Sequence, residues 1–405
     1  MALDGIEPIL QERLAELAAQ GTVKGEEQVI RAIRPAVDGF GPRCLLVGQG
    51  ERGFLRMNAN SYLGLGLHPA VIAAEEAAAR AYGVGPGAVR FISGTHVPHV
   101  ELEARLARFH GRAAAMLFSS AYAAVLGVLP QLIDAETAVV SDSLNHNCII
   151  NAIRLARPKV KAVYRHNEMA DLEARLRELV GQVQRVLVVT DGIFSMRGDH
   201  APLDRIVALC RQYEGHFRQG IITVVDDSHG VGVFGESGRG TEEHCGAAAD
   251  ILIGTLGKAF GVNGGYLAAG ATLIRYLRET SPIYIYSSPI TPAEAAAALC
   301  AVDIVDSGEG WRLLAHLRRM TARLENGLAV LGRELLPGPH PIVPLLVRDT
   351  GRTAQLVTDL FAHGILATGI KYPVVPKGDE EIRLQVNACH TENDIDYLLD
   401  VVGKI

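Results

Sequence analysis

The chain of 405 residues has little of several features that would assign it to a functional class at once. Its six cysteines form no CxxC pair, only 5% of its residues are aromatic, and no basic block stands out against the net charge of −6. Scattered cysteines predict packed, free thiols rather than a disulfide framework or a zinc site. The missing basic block argues against nucleic-acid and polybasic membrane surfaces, although an anionic small ligand needs only a few local positive groups.

Long apolar runs are also missing. The alanine-rich stretch AEAAAALCAVDIV includes Glu294 and Asp303, which indicates a core helix rather than a membrane span. The first twenty residues are amphipathic and charged, without the apolar centre of a secretion signal. We therefore expect a cytoplasmic protein with neither a membrane nor a nucleic acid as its partner.

Two familiar ligand motifs do not fit their usual patterns. The stretch GVGPGAV, residues 83–89, follows a predicted helix rather than a strand and lacks GxGxxG spacing, so a nicotinamide-dependent oxidoreductase is a poor fit. His96 and His99 have HxxH spacing, but Pro98 interrupts it and no acidic third ligand is placed. We interpret the first motif as a turn and the second as a helix start, and we predict no metal site.

What the sequence does have, from about residue 69, is a regular alternation of helices and strands. The strands RVLVVTD and GIITVVD are apolar throughout, which is typical of strands covered on both faces. We predict an α/β fold with a mostly parallel sheet between helix layers, followed by a smaller α+β C-terminal domain. The predicted divisions are an N-terminal arm over 1–55, with helices at 4–20 and 26–35, a large domain over 56–288 and a small domain over 289–405.

Polar residues follow the second of these strands directly. Asp226, Asp227 and His229 come after the apolar run 221–225, and glycines follow. Burying two carboxylates and an imidazole is costly unless a positive group meets them. The alternation of a strand directs Asp226 to a site and Asp227 to the opposite face, where we expect a structural role.

A candidate positive group is Lys258, in the apolar and glycine-rich stretch GTLGKAFGVNGGY. A lone lysine in a glycine-rich turn is most simply a surface residue. A desolvated lysine beside a strand end, however, has a lowered pKa and forms Schiff bases with aldehydes. Pyridoxal phosphate requires such a lysine, a carboxylate at its ring nitrogen and a cradle for its phosphate. The amides of Ala121 and Tyr122, at a predicted helix start, suit the cradle, and His146 begins another helix from which an imidazole could lie on a ring.

The order of the motifs NSYLGL, RFISGT, FSSAY, SLNHN, DGIFSMRGD, DDSHGVGVFGESGRG, GTLGKAFG and PVVPKGDEEIRLQVNACHT resembles that of the α-oxoamine synthases, a branch of the fold-type I pyridoxal-phosphate enzymes. The resemblance extends from about residue 55 to the C-terminus. It implies the fold-type I architecture, pyridoxal phosphate as the cofactor, and a homodimer with its active site at the subunit interface. A non-catalytic subunit of this fold would be expected to lack the Schiff-base lysine, whereas this chain has Lys258.

The resemblance also implies a role for each matching residue. The predicted catalytic residues are Lys258, which would bear the cofactor and act as acid and base at the α-carbon, with Asp226, His146 and His229. The implied contacts are Asp226 at the pyridine nitrogen, His146 against the ring, His229 and Ser195 at the ring hydroxyl oxygen, Thr255 and the amides of Ala121 and Tyr122 at the phosphate, Ser288 from the partner subunit, and Asn60 and Arg383 at the amino-acid carboxylate.

The implied reaction condenses a small amino acid with an acyl-CoA, giving a 2-amino-3-ketone or ketoacid and free CoA. The motifs VRFISGT, DDSHGVGVFGESGRG and YPVVPKG are most similar to those of the glycine C-acetyltransferase branch, which favours glycine and acetyl-CoA. The alternative is alanine or serine with a longer acyl thioester and loss of CO2, as in the 8-amino-7-oxononanoate synthase branch. Three positions depart from the family pattern, namely Ala121, Val125 and Arg197, the last at a place where an acidic residue is common.

Overall fold

The computed structural model describes residues 3–20, 23, 26–336, 338–372 and 374–405. The α-helices of these residues are α1 Glu7–Ala19, α2 Pro69–Tyr82, α3 Val97–Phe109, α4 Ala121–Leu132, α5 Asn147–Ala156, α6 Met169–Leu179, α7 Leu203–Glu214, α8 Thr241–Cys245, α9 Ala271–Thr280, α10 Pro282–Ile285, α11 Pro292–Val305, α12 Gly308–Val330, α13 Thr350–Ala362 and α14 Glu392–Lys404. The strands are β1 Ile30–Arg34, β2 Arg43–Leu46, β3 Gly53–Arg56, β4 Ala114–Phe118, β5 Thr137–Asp142, β6 Val160–Tyr164, β7 Arg185–Asp191, β8 Ile221–Asp226, β9 Ile251–Thr255, β10 Gly265–Ala269, β11 Ile342–Leu346, β12 Ile365–Leu366, β13 Thr368–Ile370 and β14 Glu381–Gln385.

The central element is a seven-stranded sheet with the strand order β4-β10-β9-β8-β7-β5-β6. The strand β10 runs antiparallel to both of its neighbours, while β9, β8, β7, β5 and β6 pair in parallel. The predicted mostly parallel sheet is therefore confirmed. Parallel strands end at the same edge of a sheet, so the residues that follow β5, β7, β8 and β9 are brought together.

The sheet is covered on both faces, as the continuous apolar runs predict. Consecutive residues of β8 belong to different clusters of the core: Val224 packs with the layer that includes α4 and α5, and Val225 with the layer that includes α3 and α11. Both side chains are at most 2% exposed. Burial on both faces removes enough apolar surface to order the strands firmly, which gives the polar residues at their ends a rigid support.

Two smaller sheets lie outside the central one. The strands β11, β14 and β13 form an antiparallel sheet within the predicted small domain. The N-terminal strands β1, β2 and β3 form the other sheet together with β12, which pairs in parallel with β3. The first part of the chain thus contacts its last quarter through backbone hydrogen bonds. The predicted boundaries of the arm and the two domains stay a prediction.

The helix predicted over 26–35 is wrong. Ile30–Arg34 is a strand that pairs antiparallel with β2, and Arg31 and Arg34 form ion pairs with Glu51. Its apolar residues have helical spacing, but pairing with β2 supplies backbone partners and so overrides this local preference. In the part of the chain that the structure describes, no helix is long and apolar enough to cross a membrane.

Candidate active site

The carboxyl ends of the parallel strands surround a cavity of about 230 Å³. Its lining is Ser120, Ala121, Tyr122, His146, Cys148, Asp191, Ile193, Ser195, Asp226, Ser228, His229, Thr255 and Lys258. Of the predicted site residues, the structure brings Ala121, Tyr122, His146, Ser195, Asp226, His229, Thr255 and Lys258 together here. Asn60, Arg383 and Ser288 are outside this lining.

Asp226 is the last residue of β8 and faces the cavity. Its Oδ1 accepts a hydrogen bond from the Ser228 amide at 3.1 Å, and its Oδ2 lies 3.6 Å from Cys148 Sγ. Asp227 points the other way, as predicted: its carboxylate accepts from the Thr241 amide at 2.6 Å and from the Thr241 hydroxyl at 2.7 Å. The two adjacent carboxylates therefore have separate tasks, one at the cavity and one beneath the loop that follows the strand.

The glycine-rich run after His229 wraps around Asp227. Gly235, Gly238 and Gly240 have φ values of 79°, 84° and 96°, so this run forms turns with positive φ. A Cβ at Gly230 would lie 2.2 Å from Asp227 Oδ1, so a side chain there would displace the carboxylate. The glycines shape the loop behind the site rather than forming an anion cradle.

Lys258 follows β9 on a short loop and enters the same cavity. Burial lowers the pKa of Lys258 to about 8, although the nearby carboxylates of Asp226 and Asp191 oppose the shift. The loop is fixed by a hydrogen bond from the Gly261 amide to the Lys258 carbonyl at 3.1 Å. Gly261 has a φ of 72°, and a Cβ there would lie 2.3 Å from the Gly66 amide nitrogen, so only glycine permits this close approach. A lysine that can be deprotonated near neutral pH thus faces a carboxylate.

A helix start forms another wall of the cavity. Ser120 caps α4 through a hydrogen bond from the Ala123 amide to its hydroxyl at 3.0 Å. Among the described residues, the amides of Ala121 and Tyr122 have no hydrogen-bond acceptor. Unsatisfied amides at a helix N-terminus favour an anion, and Thr255 adds a hydroxyl to the same cavity.

Two histidines of the lining have lowered pKa values. Burial lowers the pKa of His146, whose side chain accepts from the Cys148 amide as the N-cap of α5 and whose own amide donates to Asp191 Oδ2 at 2.9 Å. Burial and the nearby charge of Lys258 hold the pKa of His229 well below its usual range. The Nδ1 of His229 lies 2.8 Å from the Tyr62 hydroxyl, which fixes the orientation of the ring.

The remaining predicted residues do not line this cavity in the described part of the chain. Arg383 donates from Nη1 to the carbonyl oxygen of Ser195 at 3.0 Å, and its buried Nε has no partner among the described residues. Asn60 accepts a hydrogen bond from Gln385 and lines an adjoining cavity of about 480 Å³. Ser288 is exposed and does not line the cavity of its own chain in the described residues.

Sequence reasoning missed several lining residues. Asp191 ends β7 just as Asp226 ends β8, and the two are register partners, so the matching runs RVLVVTD and ITVVD carried a signal that would have found it. Burial and the charge of Asp226 raise the pKa of Asp191 well above its usual range. Cys148, Ser120 and Ile193 had no such signal, whereas Ser228 follows β8 in the same polar stretch as Asp226 and His229. Ser228 is informative now, because its buried hydroxyl is unpaired in the described residues and lines the cavity.

Comparison with known proteins gives a consistent result. The family model for aminotransferases of class I and II matches residues 52–402. An 8-amino-7-oxononanoate synthase of Fervidobacterium nodosum is 41% identical over 365 residues, covering 89% of this chain and 90% of the relative. The mitochondrial 2-amino-3-ketobutyrate coenzyme A ligase of Bos taurus is 38% identical over 408 residues, covering 100% and 93%.

Comparison with solved structures points to the same group of enzymes as the sequence comparisons. Serine palmitoyltransferase of Sphingomonas wittichii matches with a TM-score of 0.86 at 27% identity over 100% of this chain and 98% of that chain. A structure of SPT with a pyridoxal-phosphate internal aldimine matches equally well, with a TM-score of 0.86 at 26% identity over the same shares.

The cavity fits this cofactor chemically, since an amine of lowered pKa, a carboxylate, unsatisfied helix-start amides and an unpaired hydroxyl all face it. The fold, the cofactor and the enzyme class expected from the motifs are thereby confirmed. The chain belongs to the class I and II aminotransferases and, within them, to the α-oxoamine synthase family of pyridoxal-phosphate-dependent acyltransferases of fold type I.

Proposed function

We propose that the enzyme condenses glycine with acetyl-CoA to give 2-amino-3-ketobutyrate and free CoA. The observation that carries the proposal is that Lys258 and Asp226 face one cavity from neighbouring strands, beside the helix start of α4. Bound there, pyridoxal phosphate supplies a ring that withdraws electrons from the substrate's α-carbon. In the reaction the α-carbon bonds to the acyl carbonyl carbon, the carbon–sulfur bond of the thioester breaks, and the thiol of CoA leaves.

Lys258 and Asp226 have complementary tasks in this proposal. The lowered pKa of Lys258, about 8, lets its amine accept the α-proton near neutral pH. Asp226 keeps a proton on the ring nitrogen. At about 4 Å and an effective dielectric constant of about 20, such an ion pair is worth roughly 4 kcal/mol.

The other residues bind and orient. The amides of Ala121 and Tyr122 and the hydroxyl of Thr255 would hold the phosphate, which the unsatisfied amides support. His146 would lie against the ring, and Ser195 and His229 would hold the ring hydroxyl oxygen. Arg383 would grip the amino-acid carboxylate with its planar fork, together with Asn60, and its unpaired Nε supports this assignment.

A second candidate function is supported by the adjoining cavity of about 480 Å³. This cavity borders the lysine loop at Gly257 and Gly261 and includes Arg56, whose guanidinium has no partner among the described residues. Space of this size beside an unpaired cation favours a longer acyl donor with an anionic end. The second candidate is therefore an alanine or serine condensation with a longer acyl thioester, with loss of CO2.

A matrix of substrates distinguishes the two candidates. The purified enzyme with pyridoxal phosphate is given glycine, alanine or serine with acyl-CoA of increasing chain length, with and without a terminal carboxylate, and CoA release and CO2 are measured. Glycine with acetyl-CoA is expected to have the highest kcat/KM, without CO2. Preference for a long carboxylated donor, lowered selectively by Arg56→Met, would establish the second candidate, and no release from any pair would contradict both.

We also propose that the enzyme is a cytoplasmic homodimer in which Ser288 of the partner subunit completes the phosphate site. Helix α1 buries none of its residues, and its Ile9, Leu10 and Leu14 are exposed apolar side chains that a second subunit would cover. Tyr286, near Ser288, is 77% exposed. The free cysteines of the described residues suit a reducing compartment. Analytical ultracentrifugation of the holoenzyme is expected to give the mass of a dimer, and a monomer at micromolar concentration would contradict the shared site.

A further inference from the structure

His166 lies outside the cavity, between two segments that carry active-site residues. Its Nδ1 is 3.0 Å from Asp142 Oδ1, and its Nε2 is 3.0 Å from Asp199 Oδ2. The ring also meets Phe194 edge to face, with the centroids 4.4 Å apart. One imidazole thus joins the end of β5 to the loop 194–199 that follows β7.

The first partner, Asp142, fixes the turn that leads to His146. Asp142 is the last residue of β5, and its side chain is fully buried. Its Oδ1 also accepts from the Leu144 amide at 2.8 Å, and its Oδ2 accepts from the Asn167 amide at 3.0 Å. The carboxylate therefore holds both the His166 segment and the start of the turn before α5.

The second partner, Asp199, closes the loop that presents Ser195. Its carbonyl accepts from the Phe194 amide at 2.9 Å, and its Oδ2 also accepts from Arg197 Nε at 3.2 Å. Ser195 lines the cavity, and its carbonyl accepts from Arg383 Nη1 at 3.0 Å. Asp199 therefore helps to position the guanidinium of Arg383, because it holds the loop whose Ser195 carbonyl accepts from Arg383.

The charge on His166 strengthens both contacts. Burial alone would lower its pKa, but the hydrogen bonds and charges of Asp142 and Asp199 outweigh burial and raise the pKa of His166 to about 9. The ring is therefore an imidazolium at neutral pH, and its two hydrogen bonds are charge-assisted. The charged groups around it are these two carboxylates and, behind Asp199, the guanidinium of Arg197.

We propose that His166 is a positioning residue: by tying the loop 194–199 to the end of β5, it places the Ser195 carbonyl and, through it, Arg383 for the carboxylate of the amino-acid substrate. The proposal rests on the proposed function, which gives Arg383 its carboxylate. His166 itself does not touch the substrate or the cofactor. Its removal should therefore weaken amino-acid binding more than it slows the chemical step.

The test is His166→Gln in the holoenzyme, because glutamine retains hydrogen bonding but cannot carry the charge. The Kd of the amino acid, followed by cofactor absorbance without an acyl donor, and its KM are both expected to rise about tenfold, which corresponds to losing part of one charged hydrogen bond. We expect kcat to change less than about threefold, and amide hydrogen exchange over 194–199 to become faster. His216→Gln, at an exposed histidine, is the matched control and should change none of these values.

Asp199→Asn weakens the same contact between His166 and Asp199 from the other side. If His166→Gln does not fold, the same Kd, KM and exchange measurements are made on Asp199→Asn. The double variant should raise the Kd of the amino acid by less than the product of the two single effects, because both single variants remove the contact between His166 and Asp199. Unchanged Kd and unchanged exchange in a folded His166→Gln protein would overturn the proposal, as would a fall in kcat at constant Kd. A wild-type enzyme that binds no amino acid would instead contradict the proposed function, and the exchange rates would still test the anchoring of the loop.

Discussion

Lys258→Ala is expected to lower turnover by at least about four orders of magnitude, because in the proposed function this one side chain supplies both the covalent attachment of the cofactor and the base at the α-carbon. Alanine leaves no other amine in the cavity, whose described lining contains no second lysine. The purified variant should also fail to retain cofactor after borohydride treatment and denaturation, whereas the parent should retain it covalently. The measurements are CoA release and the absorbance of the denatured protein.

Lys161→Ala is a suitable control for this variant. Lys161 is exposed on β6, at the edge of the central sheet, so its loss removes one amine without touching the cavity. The control should keep parental turnover and covalent cofactor. Covalent retention by Lys258→Ala, or turnover near that of the parent, would show that another amine does the chemistry.

Asp226→Asn is expected to lower kcat by about three orders of magnitude while cofactor remains bound. The ion pair that Asp226 would form with a protonated ring nitrogen is worth roughly 4 kcal/mol, and each tenfold in rate corresponds to about 1.4 kcal/mol. Asparagine preserves the shape of the side chain but cannot hold that proton. The readouts are kcat from CoA release and the cofactor content of the purified protein.

Asp191→Asn provides the matched control, since Asp191 is the register partner of Asp226 at the end of the adjacent strand. Burial and the charge of Asp226 raise the pKa of Asp191 well above its usual range, so asparagine is a smaller change at Asp191 than at Asp226. Asparagine keeps an oxygen for the His146 amide, so turnover should fall by less than about tenfold. An Asp191→Asn enzyme as impaired as Asp226→Asn, or a nearly normal Asp226→Asn enzyme, would mean that the two carboxylates had been assigned the wrong roles.

The sequence was most informative where local pattern and tertiary structure coincide. Strands buried on both faces must be apolar throughout, so the runs that end at Asp191 and Asp226 identify the parallel sheet. Polar residues directly after such runs lie at the shared edge of the sheet, and this pattern alone places Asp226 near Lys258. The same rule, applied to the last residue of RVLVVTD, identifies Asp191 as well.

The sequence was least informative where contacts are distant along the chain. The strand at 30–34 depends on pairing with β2, and β3 pairs with β12 more than three hundred residues later. No periodicity encodes such partners. The same limit applies to His166, whose partners Asp142 and Asp199 come from two segments that only the sheet order brings together.

The most direct test of the account is a crystal structure of the holoenzyme after borohydride reduction. We predict a covalent bond from Lys258 Nζ to the cofactor and, at the far end of the ring, a carboxylate oxygen of Asp226 at about 2.7–3.0 Å from the ring nitrogen. Attachment to a different lysine, or an Asp226 carboxylate turned away from that nitrogen, would contradict the assignment on which the proposed function depends.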